Sequence, residues 1–324
     1  MNKENDISSV VEKKSPSVAA FIIIALIGLA AGALSYSLGV LMMLLYSVVT
    51  VFLASAKAPI ILQALMIPAA FVPMYFSDAE FTYVMLTVWL CSVVGGVVIA
   101  LGGDFHRSVM SFSFVGILSA VAGGTAYLEM RGITVQDVSV WMQGMLHDFL
   151  AQAIESAGDA IPLETARLLV SQYEVIAKSA VAYIPAVIGS MIVLFGIIAV
   201  WLCGFLHNIT RCETYKMKLR VARVDRIFAV IWLASLLLGI VNAGVVGICA
   251  SNIMLILMLP CAAAGLTEYR IMLFKRRLTG RRGLPFAVIT LIIVFVFVSP
   301  VVGMMVLSLT GAFGAFTRKT VRRD

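Results

Sequence analysis

Three amide side chains interrupt apolar stretches of the sequence, and their chemistry suits the binding of a polar group: Gln63, Asn242 and Asn252. An amide both donates and accepts hydrogen bonds, and among apolar residues it needs a partner for each. We expect Gln63 and Asn252 to make hydrogen bonds between helices. The alternative is that these amides line a cavity for a small substrate.

The sequence offers no catalytic motif. His106, His147 and His207 are scattered, and the chain contains no HExxH, GxxxxGK[ST] or GxSxG pattern. The five cysteines form no CxxC pair. We therefore predict no catalytic residues, no metal site and no cofactor, and we expect that the protein is not an enzyme. Active transport would need a separate ATPase or an ion gradient. We expect His207 at the interfacial end of a helix.

Composition identifies the class of protein that must position these residues. Of 324 residues, 61% are hydrophobic and only 13% are charged, against about 25% in ordinary soluble domains. Five stretches carry no Asp, Glu, Lys or Arg: 15–56, 81–103, 179–210, 227–267 and 283–317. A helix needs about 20 apolar residues to cross a bilayer. The sequence thus predicts an all-α, polytopic transmembrane helical bundle, and it excludes soluble, secreted and fibrous classes.

The distribution of charge predicts the topology. Lysine and arginine dominate 211–226, 268–282 and 318–324, whereas acids dominate 129–178. Basic loops stay in the cytoplasm, so we expect the acidic segment 129–178 outside and both termini inside. The net charge of +7 is explained by topology and anionic lipid, and we expect no nucleic-acid binding.

These assignments predict eight to ten spans in five regions. In order they are a cytoplasmic tail (1–17), an N-terminal bundle of about five spans (18–128), an external amphipathic segment (129–180), a C-terminal bundle (181–317) with basic cytoplasmic loops at 208–226 and 267–283, and a basic tail (318–324). The N-terminal spans are expected at 18–38, 39–56, 58–76, 81–103 and 108–128. The C-terminal spans are expected at 181–207, in a hairpin over 227–267 that turns at 242–244, and in a hairpin over 283–317 that bends near Pro300.

The external segment has the pattern of an amphipathic helix. Thr134 and Asp137 form an S/T-x-x-D helix start. Trp141, Met145 and Phe149 then recur every four residues and form one apolar stripe. We expect a second helix from Pro162. The pair is predicted to lie on the outer membrane surface or to cap the bundle, either as a packed lid or as a lid that gates a ligand.

Small residues recur at four-residue spacing in several predicted spans. Gly28 and Gly32 form a GxxxG pattern in the first span, and Gly116 and Gly124 belong to a similar row in the fifth. Such rows let helix backbones approach closely. They therefore predict either packing within the chain or docking of a partner's helix, the second alternative applying above all to the first span.

The order of features resembles the YybS-like family of bacterial polytopic membrane proteins. The features are the amphipathic stretch 141–178, a span with Pro185 that ends at Asn208, Ile231-Trp232, Ser251-Asn252-Ile253, Gly265 before a basic loop, and a last hairpin closing with residues 307–311 and Arg318-Lys319. This family is distantly related to the S components of energy-coupling-factor transporters. The resemblance implies a multi-pass protein of the bacterial inner membrane, and its remoter kinship implies a role in transport.

Two hypotheses for function follow. In the first, the N-terminal spans form a cavity for a small molecule, a cytoplasmic ATPase complex drives its movement, and the Gly28–Gly32 row docks a membrane partner. In the second, the protein is a non-transporting scaffold or regulator whose basic loops bind anionic lipid or a cytoplasmic protein. A polar cavity among the first six spans favours the first hypothesis, and a solid bundle favours the second.

Overall fold

The computed structural model describes residues 18–75, 78–157, 181–210, 224–242, 244–278 and 299–317. Every regular element within these ranges is a helix, which confirms the predicted all-α class. The helices are α1 (Val18–Leu38), α2 (Val40–Ser55), α3 (Ile60–Ala64), α4 (Met66–Tyr75), α5 (Ala79–Ala100), α6 (Phe105–Arg131), α7 (Val135–Ala157), α8 (Ile184–Ile209), α9 (Arg226–Val241), α10 (Val245–Leu278) and α11 (Pro300–Thr317).

Six of these helices are long and apolar enough to cross a membrane: α1, α5, α6, α8, α10 and α11. They carry many large apolar side chains on their outer faces, such as Ile23, Phe114 and Met191. Such side chains are stable in contact with lipid. The chain is therefore a multi-pass helical membrane protein. Shorter apolar helices occupy the predicted spans 39–56, 58–76 and 227–241. The predicted crossing ahead of Pro300 lies outside the described residues.

The predicted span 58–76 is not one continuous helix, because it breaks at Leu65 between α3 and α4. The cause is Pro68, whose ring would collide with the carbonyl of Ala64 in an unbroken helix and which has no N–H to bond to it. Pro68 is tolerated in the first turn of α4, where the backbone N–H groups lack helical partners anyway.

The prediction of a loop at 267–283 is wrong for 267–278, which are helical. Helix α10 continues as far as Leu278, well beyond the last apolar turn. The residues there are mainly Leu, Met, Lys and Arg, which favour helix, and no proline follows until Pro285. The predicted turn at 242–244 is confirmed, with Gly244 at a φ of +87° that suits glycine. The tails, the loop at 211–223 and the helix expected from Pro162 lie outside the described residues.

The chain divides into two compact units, and the division falls within α6 and α8. The first unit combines Met1–Phe112 with Ile197–Val221. In it α1 packs against α2 and α4, and α5 also packs against α2 and α4. Ten consecutive residues of α2, Tyr46 to Ser55, are buried. Helix α2 is therefore the core of this unit, surrounded by protein on all sides over its second half.

The second unit combines Ser113–Gly196 with Ala222–Asp324. Its most extensive contact joins α10 and α11, and α9 packs against both. Trp232 of α9 is fully buried, and its indole N–H donates to the carbonyl of Met254 in α10 at 3.1 Å. The buried hydroxyl of Ser308 in α11 lies 2.9 Å from the carbonyl of Met258 in α10 and 2.8 Å from the carbonyl of Met304 in its own helix. Side-chain hydrogen bonds to backbone carbonyls thus connect the three helices.

Helix α7 begins where the sequence predicts. The N–H and hydroxyl of Thr134 donate to the Asp137 carboxylate at 2.7 and 2.6 Å, and the Asp137 N–H donates to the Thr134 hydroxyl at 3.2 Å. This reciprocal capping box supplies partners for the first N–H groups of the helix. The bonds from the Thr134 hydroxyl and N–H also hold the pKa of Asp137 below its usual value.

Candidate functional site

Asn252 of α10 bridges two helices. Its amide nitrogen donates to the carbonyl of Ala182 at 2.9 Å and to Ile248 of its own helix at 3.0 Å. Its amide oxygen accepts from the N–H of Ala186 at 3.0 Å. Ala186 lies in the first turn of α8, where the N–H groups lack helical partners. Asn252 therefore acts as a helix cap from a distance, and the predicted hydrogen bond between helices is confirmed for this residue.

The other two amides have different roles. The Gln63 amide nitrogen donates at 2.9 Å to the carbonyl of Ala58, just ahead of α3. This bond joins residues five apart in sequence, so the predicted hydrogen bond from Gln63 to another helix is wrong. Asn242 is exposed at the C-terminal end of α9. Gln63 belongs to the first unit, and Asn242 and Asn252 belong to the second.

Gly28 and Gly32 pack inside the first unit. A Cβ at Gly28 would lie 2.6 Å from both Met66 Cε and Val49 Cγ1, and one at Gly32 would lie 2.6 Å from Ala69 Cβ. The face that carries both glycines is therefore already covered by α2 and α4. Of the two alternatives for this row, the structure contains packing within the chain, and it leaves no room for a partner's helix against these glycines.

The row of small residues in α6 is buried at its start and exposed at its end. Gly116 is buried, whereas Gly124 is exposed, and a Cβ built on it meets nothing within 4 Å. A tighter glycine contact in the described second unit lies elsewhere, at Gly265 and Gly311. A Cβ on Gly265 would overlap the carbonyl of Leu307, and one on Gly311 would overlap the carbonyl of Cys261. Helices α10 and α11 thus cross with their backbones in contact.

A polar cluster that the sequence analysis missed lies at one end of the first unit. His207 is 1% exposed, and its Nε2 lies 2.7 Å from Ser55 Oγ. The same hydroxyl lies 3.0 Å from the carbonyl of Phe52 and 3.6 Å from Cys203 Sγ. The His207 ring also packs against the ring of Phe52, with 4.8 Å between centroids. His207 is at a helix end as predicted, but it is a buried packing residue that joins α8 to α2.

The described second unit contains a groove of about 520 Å³ between the C-terminal parts of α10 and α11. Its lining residues are Glu268, Val306, Leu309, Thr310, Phe313, Gly314 and Thr317. The walls are mainly apolar, and the polar groups are one carboxylate and two hydroxyls. The groove is largely open, so it is a surface cleft and not an enclosed cavity.

Gly314 makes room for the carboxylate of this groove. A Cβ at Gly314 would lie 2.8 Å from Glu268 Cγ and 3.0 Å from Glu268 Oε1. The Glu268 side chain therefore lies directly against the backbone of α11, a position that a larger residue would obstruct. Spacing alone gave no signal for this site, since Glu268 and Gly314 are far apart in sequence and meet because α10 and α11 pair.

The described residues contain no group of three or more His, Cys, Asp or Glu side chains that could hold a metal ion. No protein-family model, no curated protein and no solved structure matches this chain.

Proposed function

We propose that this multi-pass membrane protein is the small-molecule-binding membrane component of a transporter. The observation that carries the proposal is the groove between α10 and α11, where a single carboxylate lies among apolar walls. Mainly apolar walls with a few polar groups are the usual lining of a small-molecule site, in which the apolar walls supply affinity and the polar groups fix orientation.

The lining of the groove suggests the chemistry of its ligand. A carboxylate such as Glu268 accepts hydrogen bonds or pairs with a cation, and the Thr310 hydroxyl, which donates to the Val306 carbonyl at 2.8 Å, can accept a hydrogen bond from a ligand. Val306, Leu309 and Phe313 provide apolar contact. This combination fits a small amphipathic molecule that carries an amine or another donor group. Because the sequence has no nucleotide-binding motif, energy for transport comes from a separate ATPase or from an ion gradient.

The test is mass spectrometry of small molecules that co-purify with the full chain in mild detergent. We expect a molecule that the wild-type chain retains and that Glu268→Gln loses at least in large part. Glu129→Gln is the matched control, because it removes an exposed carboxylate at the end of α6, outside the groove. The proposal is wrong if the wild-type chain retains nothing beyond lipid and detergent, or if both variants lose the molecule equally.

A second candidate function is a non-transporting scaffold or regulator, and the packing of the first unit favours it. Ten consecutive buried residues in α2 leave its second half enclosed by protein. Its hydroxyls bond within the unit, as Ser47 and Ser92 do at 2.7 Å. This dense interior matches the solid bundle expected of a scaffold. Purification from native membranes separates the candidates: a transport component brings an ATPase complex with it, whereas a scaffold brings other proteins or anionic lipid.

A further inference from the structure

Helix α7 presents an apolar stripe that no described part of the chain covers. Trp141 is 64% exposed, Met145 54% and Phe149 65%. No other described helix makes extensive contact with α7. The three side chains recur every four residues and so share one face of the helix. A contiguous exposed apolar stripe of this kind marks a surface that contacts lipid or protein.

The bilayer is the apolar phase within reach of this stripe. Membrane-spanning α6 ends at Arg131, and α7 starts at Val135. Gly132, at a φ of +63°, terminates α6, with its N–H donating to Glu129 and the N–H of Ile133 donating to Leu128. The chain then enters the α7 capping box at Thr134. Three residues extend at most about 10 Å, so α7 begins at the level where α6 leaves the membrane.

The charge of α7 determines the kind of lipid surface that it fits. Its sequence contains Asp137, Asp148 and Glu155 and no Lys or Arg. Helices that bind anionic membranes carry cations on their polar face, and three acids would instead be repelled. Tryptophan and phenylalanine favour the interface between headgroups and acyl chains.

We propose that α7 lies in the plane of the membrane with its Trp141–Met145–Phe149 stripe inserted into a surface of uncharged, zwitterionic lipid. Apolar burial and the short connection to α6 hold it there, and electrostatic attraction takes no part. The inference is independent of the proposed function, because it concerns a surface in contact with lipid and not the groove.

Spin labels on the full chain in phosphatidylcholine nanodiscs test this placement. The labelled positions are Phe149→Cys, on the stripe, and His147→Cys, an exposed residue about 160° around the helix. Both variants also carry Cys212→Ser and Cys249→Ser, so that only the buried Cys91, Cys203 and Cys261 remain beside the introduced cysteine. We expect the label at 149 to be more accessible to oxygen than to a water-soluble nickel complex, and the label at 147 to show the reverse.

Three outcomes would overturn the proposal. Access of the nickel complex to both labels would place α7 in water. Protection of the label at 149 from both reagents would mean that protein, from this chain or from a second copy, covers the stripe. Lipid contact that appears only when phosphatidylglycerol is added would mean that charge holds the helix; we expect added phosphatidylglycerol to leave oxygen access at 149 unchanged or reduced.

A second measurement needs no introduced cysteine. Tryptophan fluorescence of the wild-type chain minus that of Trp141→Phe isolates the Trp141 signal. Lipid brominated near the headgroup should quench this difference signal, and aqueous iodide should not. Quenching by iodide without quenching by the brominated lipid would contradict the proposal even if a cysteine variant failed to fold.

Discussion

The two units of the molecule hold their helices together in different ways. In the first, Gly28 of α1 contacts the side chains of Met66 and Val49, whereas Gly96 of α5 approaches both the side chain of Ala54 and the backbone carbonyl of Val51 in α2. In the second, the contacts at Gly265 and Gly311 are made to backbone carbonyls of the facing helix. A side chain can rotate away from an added methyl group, whereas a backbone in a packed helix pair cannot.

The buried polar side chains of the two units also differ in their hydrogen-bond partners. Buried hydroxyls are numerous in the first unit, and many of them also bond to a carbonyl of their own helix, as Ser92 does to Val88 at 2.6 Å. In the second unit, Asn252 supplies partners that the backbone of α8 cannot find in its own helix. We infer that the contact at Gly28 tolerates local change, while the α10–α11 crossing and the Asn252 bridge of the second unit depend on contacts that have no substitute.

The largest expected effect is that of alanine at the α10–α11 crossing. Gly265→Ala and Gly311→Ala each place a methyl group onto a backbone carbonyl, so the helices must separate. Overpacking typically costs about 1 to 3 kcal/mol, and we expect the upper part of this range because the facing backbone cannot rotate away. The measurement is the free energy of unfolding in mixed micelles of mild detergent and sodium dodecyl sulfate.

Gly124→Ala is the matched control, since its added methyl group meets nothing within 4 Å. We expect this variant to be neutral or slightly more stable, because alanine favours helix by about 1 kcal/mol over glycine. Equal stability of all three variants would show that the backbones do not touch at the crossing.

The next largest effect is expected for Asn252→Leu. The substitution leaves the Ala186 N–H without its acceptor and the Ala182 carbonyl without its donor. An unsatisfied buried group costs about 1 to 3 kcal/mol, and single interhelical bonds in membranes contribute about 0.6 kcal/mol. We expect a loss of about 1 to 2 kcal/mol in the same unfolding assay, with faster amide hydrogen exchange in the first turn of α8.

Asn242→Leu provides the comparison for this variant, because the side chain of Asn242 is exposed at a helix end. Its expected effect is within about 0.5 kcal/mol of zero. A loss as large as that of Asn252→Leu would mean that hydrophobicity, and not the bridge to α8, determines the result.

The helices could be predicted from the sequence because their signals are local. Charge-free stretches gave the class, and the capping box at Thr134 gave the start of α7. The break at Leu65 was missed because the apolar composition of 58–76 concealed the effect of Pro68. The extension of α10 was missed because a basic segment was equated with a loop, although lysine and arginine favour helix.

The site was harder to predict, because it depends on which helices are neighbours. Asn252 could be recognised from its type alone, since an amide in an apolar span needs partners. The pairing of Glu268 with Gly314 and that of Ser55 with His207 join residues that are far apart in sequence. No periodic pattern in either helix indicates its partner, so only the tertiary structure reveals them.

A smaller effect is expected for Gly28→Ala in the first unit. The added methyl group meets the flexible end of Met66, one methyl group of Val49 and, at 3.1 Å, the Cβ of Val49. Rotation of Met66 and the higher helix propensity of alanine offset part of the cost, so we expect a net loss below about 1 kcal/mol. A loss equal to that of Gly265→Ala in the unfolding assay would remove the distinction between the two units.

The smallest effect is expected for the hydroxyl pair Ser47 and Ser92, which joins α2 to α5 at 2.7 Å. A double-mutant cycle with Ser47→Ala and Ser92→Ala should give a coupling energy of about 0.6 kcal/mol, the average for interhelical bonds in membranes. The value is small because the Ser92 hydroxyl keeps the Val88 carbonyl as an acceptor when Ser47 is removed. Thr50 is the control, since its hydroxyl donates to Tyr46 of its own helix, and a Thr50–Ser92 cycle should show no coupling. A Ser47–Ser92 coupling as large as the loss in Asn252→Leu would mean that hydroxyl pairs in the first unit are as irreplaceable as the amide bridge in the second.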